Sequence, residues 1–106
     1  MRIILIFFSN VHVKWTIRGL DNFLLITKFI EKNCLNQKKL FVQEINNKLS
    51  FLSRNSSAGC AGRVMGTREL VVAQNYIVVY RVRMEGTGIE VISIHRISKR
   101  WPESFD

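Results

Sequence analysis

The spacing of apolar residues changes in the middle of this chain of 106 residues, and that change limits the folds it can adopt. Between about residue 16 and the loop-like stretch "RNSSAGCAGR" at residues 54–63, apolar residues recur at intervals of three or four, which is the period of one helix face. After it, residues 67–73, 76–84 and 89–97 are rich in Val, Ile, Tyr and Thr, which favour strands. The sequence therefore predicts helices first and strands second.

Two helices are predicted before the loop. Thr16 can cap the first helix, and Gly19 weakens it slightly. Its apolar side carries Leu20, Phe23, Leu24, Thr27 and Ile30. The second helix runs from about Gln37 to Ser53, and its stripe consists of Phe41, Ile45, Leu49 and Leu52. Because both patterns follow one helix face, we interpret them as core faces.

A first strand precedes the helices at residues 11–16, where "VHVKWT" alternates with period two. Alternation directs Val13 and Trp15 inward and His12 outward, so we interpret His12 as a solvated strand residue rather than a ligand. The predicted fold class is α+β: two amino-terminal helices packed on a small, mainly antiparallel four-stranded sheet.

The last two strands form a hairpin around "EGTG" at residues 85–88. With a loop of two or four residues, Arg83 lies opposite Glu90, which pairs opposite charges across the strands. The same register places Arg81 on the face opposite to His95. A loop of three or five residues would reverse the faces.

The chain is strongly basic, with 16 Lys and Arg against 8 Asp and Glu, a net charge of +8 and a pI near 10.1. This favours an anionic partner, which can be nucleic acid, a membrane surface or an acidic protein segment. The second half carries most of the arginines, and arginine binds carboxylates bidentately. We therefore expect that half to be the interaction face.

Neither a cofactor, a metal nor a membrane is indicated. Cys34 and Cys60 lack paired spacing, which argues against a zinc site or a disulfide framework and favours free thiols in a reducing cytoplasm. The apolar run from Ile3 to Phe8 is too short for a secretory signal or a membrane span. We therefore expect a soluble, cytoplasmic protein that uses no cofactor.

The strings "GRVMGTRELVVAQNYIVVYRV" and, after an apolar strand, "HRISKRWP" resemble the RelE/ParE superfamily of bacterial type II toxins. The resemblance is closest to the ParE, or plasmid-stabilisation, branch, and it covers about residues 11–102. Residues 1–10 would then be an apolar extension or a start site assigned too early, and residues 103–106 a tail.

The resemblance implies a toxin that a cognate antitoxin neutralises through an acidic, flexible segment, in a possible toxin–antitoxin hetero-oligomer. ParE-like members inhibit DNA gyrase, whereas RelE-like members cut mRNA on the ribosome. Three hypotheses follow: a non-enzymatic gyrase inhibitor, a ribosome-dependent endoribonuclease, and an inactive remnant that only binds an antitoxin. We favour the first.

The choice rests on positions where the nucleases of the superfamily carry functional residues. The nuclease pattern has an arginine where "YIVVY" has Ile77, and that arginine would stabilise phosphate charge. A further arginine and a tyrosine correspond to Ile97 and Glu103. We therefore interpret His95 as structural or partner-binding.

A nuclease would instead use His95 with Arg81 and Arg96 as its catalytic residues. For the gyrase inhibitor, we expect partner binding by Arg68, Arg81, Arg83, Arg96, Arg100 and Trp101. Trp101 can alternatively close the edge of the sheet against the core, and we favour that role over a gyrase contact.

Overall fold

The computed structural model describes residues 5–6, 12–73, 75–83 and 88–97. Along the chain, two short strands precede two helices, and four strands follow them. The elements are β1 (Leu5–Ile6), β2 (Val13–Trp15), α1 (Ile17–Asn33), α2 (Leu35–Arg54), β3 (Cys60–Ala61), β4 (Arg68–Val72), β5 (Tyr76–Val82) and β6 (Ile89–Arg96).

The strands form one sheet in the order β1-β2-β6-β5-β4-β3. Only β2 and β6 pair in parallel among the described strand pairs, and the other neighbours are antiparallel. The predicted α+β class is confirmed. The sheet has six strands rather than four because β1 and β3 extend its two edges. Each has only two residues, too few for a periodic pattern to reveal.

Both helices cover one face of the sheet and enclose the core. Trp15 is fully buried and its ring centroid lies 5.4 Å from that of Phe23. Phe41 of α2 contacts Tyr76 of β5 at 5.2 Å between centroids. The predicted stripe of α2 is confirmed, since Phe41, Ile45, Leu49 and Leu52 are all buried. The predicted stripe of α1 is confirmed at Phe23 and Thr27 but is wrong at Leu24, which is 46% exposed.

The start of α1 follows the predicted cap. The Thr16 hydroxyl accepts a hydrogen bond from the Gly19 N–H at 3.0 Å. Gly19 itself is buried, and a Cβ there would lie 2.7 Å from the carbonyl oxygen of Val91. A glycine that weakens the helix locally therefore lets α1 approach β6 closely.

Helix α1 also covers the edge of β6, because β2 pairs with β6 only as far as Val91. The Thr16 hydroxyl lies 3.1 Å from the carbonyl oxygen of Val91 and 3.0 Å from that of Ile92. Further along, the Ile94 N–H donates to Asn22 Oδ1 at 3.0 Å. Helix side chains thus take the place of a strand neighbour and bond part of the β6 edge.

The predicted hairpin register is wrong by two residues near the turn. Glu90 lies opposite Arg81 rather than Arg83, and the strands end at the pair Val82 and Ile89. The connection is therefore longer than the prediction assumed. A shift of two residues leaves every side chain on its predicted face, because side chains alternate with period two.

A second irregularity does change the faces. Ile92 has no partner in β5, so Val79 pairs with Ser93 while Tyr80 pairs with Val91. This extra residue in β6 is a β-bulge. Beyond it His95 lies opposite Ile77, on the same face as Arg81, so the prediction that these two side chains occupy opposite faces is wrong.

The amino-terminal residues 5–6 pair with β2 in the register Leu5 to Trp15 and Ile6 to Lys14. Within the described part of the chain, no helix is long and apolar enough to cross a membrane. Because β1 adds only two residues at an edge, we predict that a chain starting at residue 11 folds. Thermal melting of the two forms is the measurement, and a shortened chain that fails to fold would contradict it.

Candidate functional site

The face of the sheet opposite to the helices carries most of the polar residues of the central strands. We call it the open face. Alternation along the paired strands assigns its side chains. They are Glu69, Val71, Ile77, Val79, Arg81, Glu90, Ser93 and His95. This surface contains the predicted catalytic candidate His95, hydrogen-bonded to Ser93, and the carboxylates of two ion pairs, Glu90 and Glu69.

His95 occupies the carboxyl end of β6, where it lies exposed on the open face. Its Nε2 is 2.8 Å from the hydroxyl of Ser93. The residue opposite it in β5 is Ile77, which is only 3% exposed. The cross-strand neighbour of the imidazole is therefore apolar, and a phosphate approaching His95 would meet a branched hydrocarbon there.

Burial and neighbouring charges lower the pKa of His95 in the folded protein. Partial burial lowers the pKa of His95 most, and the positive charges of Arg18 and Arg63 lower the pKa further. The carboxylate of Glu69 acts in the opposite direction. Arg63 also forms an ion pair with Glu69 at 3.7 Å, so a charged pair lies in electrostatic reach of the imidazole. Sequence reasoning missed both members, because their proximity depends on the bulge.

Arg81 shares the open face with His95 but lies well away from it. Its Nη1 is 3.4 Å from Glu90 Oε1, with side chains 44% and 6% exposed respectively. Four residues separate Arg81 from Ile77 along β5, a distance of about 13 Å at the rise of a strand. The guanidinium is thus occupied by a carboxylate at the other end of the strand pair.

Arg96 lies opposite Tyr76, on the helix side of the sheet. It borders a cleft of about 400 Å³ between α1 and the end of β6. We call this the α1 cleft. Its lining residues are Leu25, Ile26, Phe29, Tyr76, Ile94, His95 and Arg96. Arg96 and His95 alternate along β6, but they are its last two residues, and both border this cleft.

The other predicted partner-binding arginines lie apart. Arg68 Nη1 donates to the carbonyl oxygen of Gly59 at 2.6 Å. Arg83 follows the end of β5, and its backbone N–H donates to the carbonyl oxygen of Gly88 at 3.1 Å. Residues 100 and 101 lie outside the described residues. The structure thus spreads the described arginines over both faces and both ends of the sheet, rather than in one patch.

Tyr80 is a further residue that the sequence did not single out. It is fully buried, its hydroxyl donates to the Ser56 carbonyl oxygen at 2.7 Å, and it accepts from the Gly59 N–H at 2.9 Å. Burial raises the pKa of Tyr80. A tyrosine in a buried strand signals the need for a hydroxyl partner, although the sequence could not identify the loop that supplies it.

No group of three potential metal ligands occurs within the described ranges. The polar groups described on the open face are therefore one histidine, one hydroxyl and two Arg–Glu ion pairs. Cys60 borders a smaller, mostly apolar hollow of about 290 Å³ with Val71 and Ile77.

Comparison with known families identifies the fold. A family model described as "ParE toxin of type II toxin-antitoxin system, parDE" matches residues 13–101. The chain belongs to the ParE toxin family. It is 29% identical over 96 residues to "Putative toxin Y4kP" of Sinorhizobium fredii (strain NBRC 101917 / NGR234), covering 90% of this chain and 97% of the relative.

Two solved structures have the same fold as this ParE-family chain. One is titled "Chromosomal ParDE TA system from P. aeruginosa", with a TM-score of 0.68 and 23% identity over 81% of this chain and 95% of the other. The second, "YoeB/ParE toxin from Agrobacterium tumefaciens", has a TM-score of 0.58 and 21% identity over 83% and 100%. The protein is thus a toxin of a type II toxin–antitoxin system, and its family implies a cognate antitoxin.

Proposed function

We propose that this ParE-family toxin inhibits DNA gyrase and is not a ribonuclease. The observation that carries the proposal is the buried Ile77 directly opposite His95. Cleavage of RNA at the 2′-hydroxyl needs a base, an acid and a cation that converge within hydrogen-bond reach of the phosphate. At the position nearest to His95 in the neighbouring strand, the chain has an aliphatic side chain.

The remaining candidates for a nuclease support the same proposal. Arg81 shares the face of His95, but its guanidinium bonds Glu90 about 13 Å further along the strand. Arg96 lies opposite Tyr76 and borders the α1 cleft together with His95. Because Arg81 is bonded to Glu90 at the other end of the strand pair, we infer that the three residues of the nuclease hypothesis do not converge.

Purified protein added to a gyrase supercoiling assay and to translating ribosomes tests the target. We expect wild type to inhibit supercoiling and to leave mRNA intact, and we expect His95→Ala to retain most of the inhibition. Ser93→Ala is the matched control, since it removes the hydroxyl that contacts the imidazole. Cleavage of mRNA by wild type, abolished in a normally folded His95→Ala, would establish the nuclease hypothesis instead. A wild type that arrests no growth would establish an inactive remnant.

For the antitoxin, we propose that an acidic segment docks in the α1 cleft. Leu25 and Phe29 of α1 are 67% and 56% exposed there, and Arg96 borders the same cleft. Apolar anchors beside a cation fit a segment that alternates apolar and acidic residues and orders on binding. The net charge of +8 would accelerate its approach.

Stopped-flow association with the antitoxin at low and high salt tests this docking. We expect the association rate to fall steeply with salt, because screening weakens steering. Phe29→Ser should speed dissociation, whereas Leu40→Ser, at a similarly exposed position of α2, should not. An association rate independent of salt would exclude the basic surface as the docking determinant.

A further inference from the structure

The turn between β3 and β4 presents two apolar side chains to solvent. Val64 is 66% exposed and Met65 is 95% exposed. We call residues 64 and 65 the tip. The turn requires a residue with a positive φ angle, and Gly66 supplies it at +87°. The backbone conformation itself imposes no apolar residue at either tip position, so the fold does not account for them.

The turn is held closed by its own hydrogen bonds. The carbonyl oxygen of Val64 accepts from the Thr67 N–H at 3.1 Å and from the Thr67 hydroxyl at 2.6 Å. The Gly62 N–H donates to the carbonyl oxygen of Thr67 at 2.7 Å. Because its backbone is already bonded, the turn would lose little conformational entropy when its side chains enter a binding site.

The base of the turn is tied to the sheet on both sides. The Arg63 N–H donates to Glu69 Oε2 at 3.2 Å, and the Arg63 guanidinium pairs with the same carboxylate. On the preceding segment, the Tyr80 hydroxyl and Arg68 hold Gly59. The tip is therefore a projection on a rigid support. The charge of Arg63 is matched there by Glu69, whereas Arg68 donates to the neutral carbonyl oxygen of Gly59, so the base of the turn keeps a net positive charge.

The tip and the α1 cleft differ in shape and place. β3 and β4 form one edge of the sheet, whereas α1 packs on β6 and β2 toward the other edge. A cleft fits an extended segment that orders on binding, but a projecting pair of side chains fits a preformed pocket on a folded partner. Methionine suits such a pocket, because its flexible thioether adapts to irregular walls.

We propose that the tip is the anchor by which this toxin binds its target protein, inserting Met65 and Val64 into an apolar pocket with carboxylates at its rim. The antitoxin binds elsewhere. The identity of the target as gyrase rests on the proposed function, whereas the role of the tip does not.

The test uses the full chain carrying Val64→Ser with Met65→Ser, and Leu40→Ser as the matched control on α2. All three positions are exposed, so thermal melting should show folded proteins. We expect the tip variant to need a concentration at least about tenfold higher than wild type to inhibit gyrase supercoiling. It should also fail to arrest growth, while binding the antitoxin as wild type does. Leu40→Ser should resemble wild type in all three measurements.

The outcomes distinguish failure of the tip proposal from failure of the gyrase proposal. If wild type leaves gyrase unaffected and the tip variant still loses growth arrest, the tip proposal holds and the gyrase proposal fails. A tip variant that arrests growth as wild type does would overturn the tip proposal, whatever the target is. Weakened antitoxin binding in the tip variant would also overturn it, since the tip would then belong to the antitoxin interface.

Discussion

The two faces of the sheet differ in how completely their side chains are buried. On the helix side, alternating residues of β2, β5 and β6 such as Trp15, Val78 and Val91 are almost fully buried. On the open face, buried and exposed residues mix: Ile77 and Ser93 are buried, whereas Val71 and His95 are exposed. Hydrophobic burial determines the first face, and strand register determines which residues meet on the second.

This difference explains where function can change within the family fold. The helix side tolerates few substitutions, because a core at native packing density responds to single methylene groups. The open face and the β3–β4 turn carry side chains whose burial contributes less to folding. The exposed positions among them are therefore available for partner contacts, since surface substitutions usually change stability little.

The comparison is tested most strongly by truncating one large residue on each face. We expect Trp15→Ala to lower the free energy of unfolding by about 3–5 kcal/mol, because it removes the largest fully buried side chain and leaves a cavity. Val71→Ala on the open face, where the residue is 57% exposed, should change it by less than about 1 kcal/mol. Urea unfolding of both variants is the measurement, and equal losses would show that the open face is also a packed core.

Removing the hydroxyl of Tyr80 tests whether the loop at residues 56–59 is held by contacts with the helix side of the sheet. Tyr80→Phe should lower the free energy of unfolding by about 1–3 kcal/mol, because the buried Gly59 N–H and Ser56 carbonyl oxygen lose their partner. Tyr76→Phe is the control, a buried tyrosine that keeps its ring in the same strand. Since Tyr80 also supports the turn that carries the tip, protease cleavage near residues 56–59 should accelerate. An unchanged cleavage rate would mean that the loop is held by other contacts.

The helix side was predictable from spacing alone. The stripe from Phe41 to Leu52, the Thr16 cap and the inward Val13 and Trp15 all follow from period and residue type, and each is confirmed. The faces of His95 and Arg81 were not predictable, because no residue pattern marks a bulge at Ile92. One unpaired residue moves every side chain beyond it to the other face of the sheet. The site therefore depends on a bulge that leaves the hydrophobic pattern nearly unchanged.

A double-mutant cycle tests the observed register. Arg81→Met and Glu90→Gln should show a coupling energy of a few tenths of a kcal/mol up to about 1 kcal/mol, since the arginine is 44% exposed and solvent screens the pair. The same cycle with Arg83→Met should show a smaller coupling, because Arg83 is not opposite Glu90. A larger coupling for Arg83 would restore the register predicted from the sequence near the turn. It would leave Arg81 and His95 on the same face, because the bulge at Ile92 and not this shift decides their faces.

The smallest expected effect concerns the protonation of His95. Its pKa is lowered in the folded protein, mainly by partial burial and then by Arg18 and Arg63, so the unfolded chain binds the proton more tightly. Stability contributed by the neutral imidazole is therefore present above the unfolded pKa of about 6.5, and it is lost as the pH falls from there toward the folded value. Because the residue is exposed, we expect a small change.

Thermal melting of wild type and His95→Gln at pH 8 and pH 5 measures this change in stability. The other histidine, His12, is present in both proteins, so the comparison isolates residue 95. Wild type should become less stable relative to the variant at pH 5. The opposite sign would mean that Glu69 outweighs burial and the two arginines, and that the histidine is charged near neutral pH. A neutral His95 could still act as a base. We argue against catalysis because a base also needs its partners within reach, whereas Ile77 opposite His95 is apolar and Arg81 is distant.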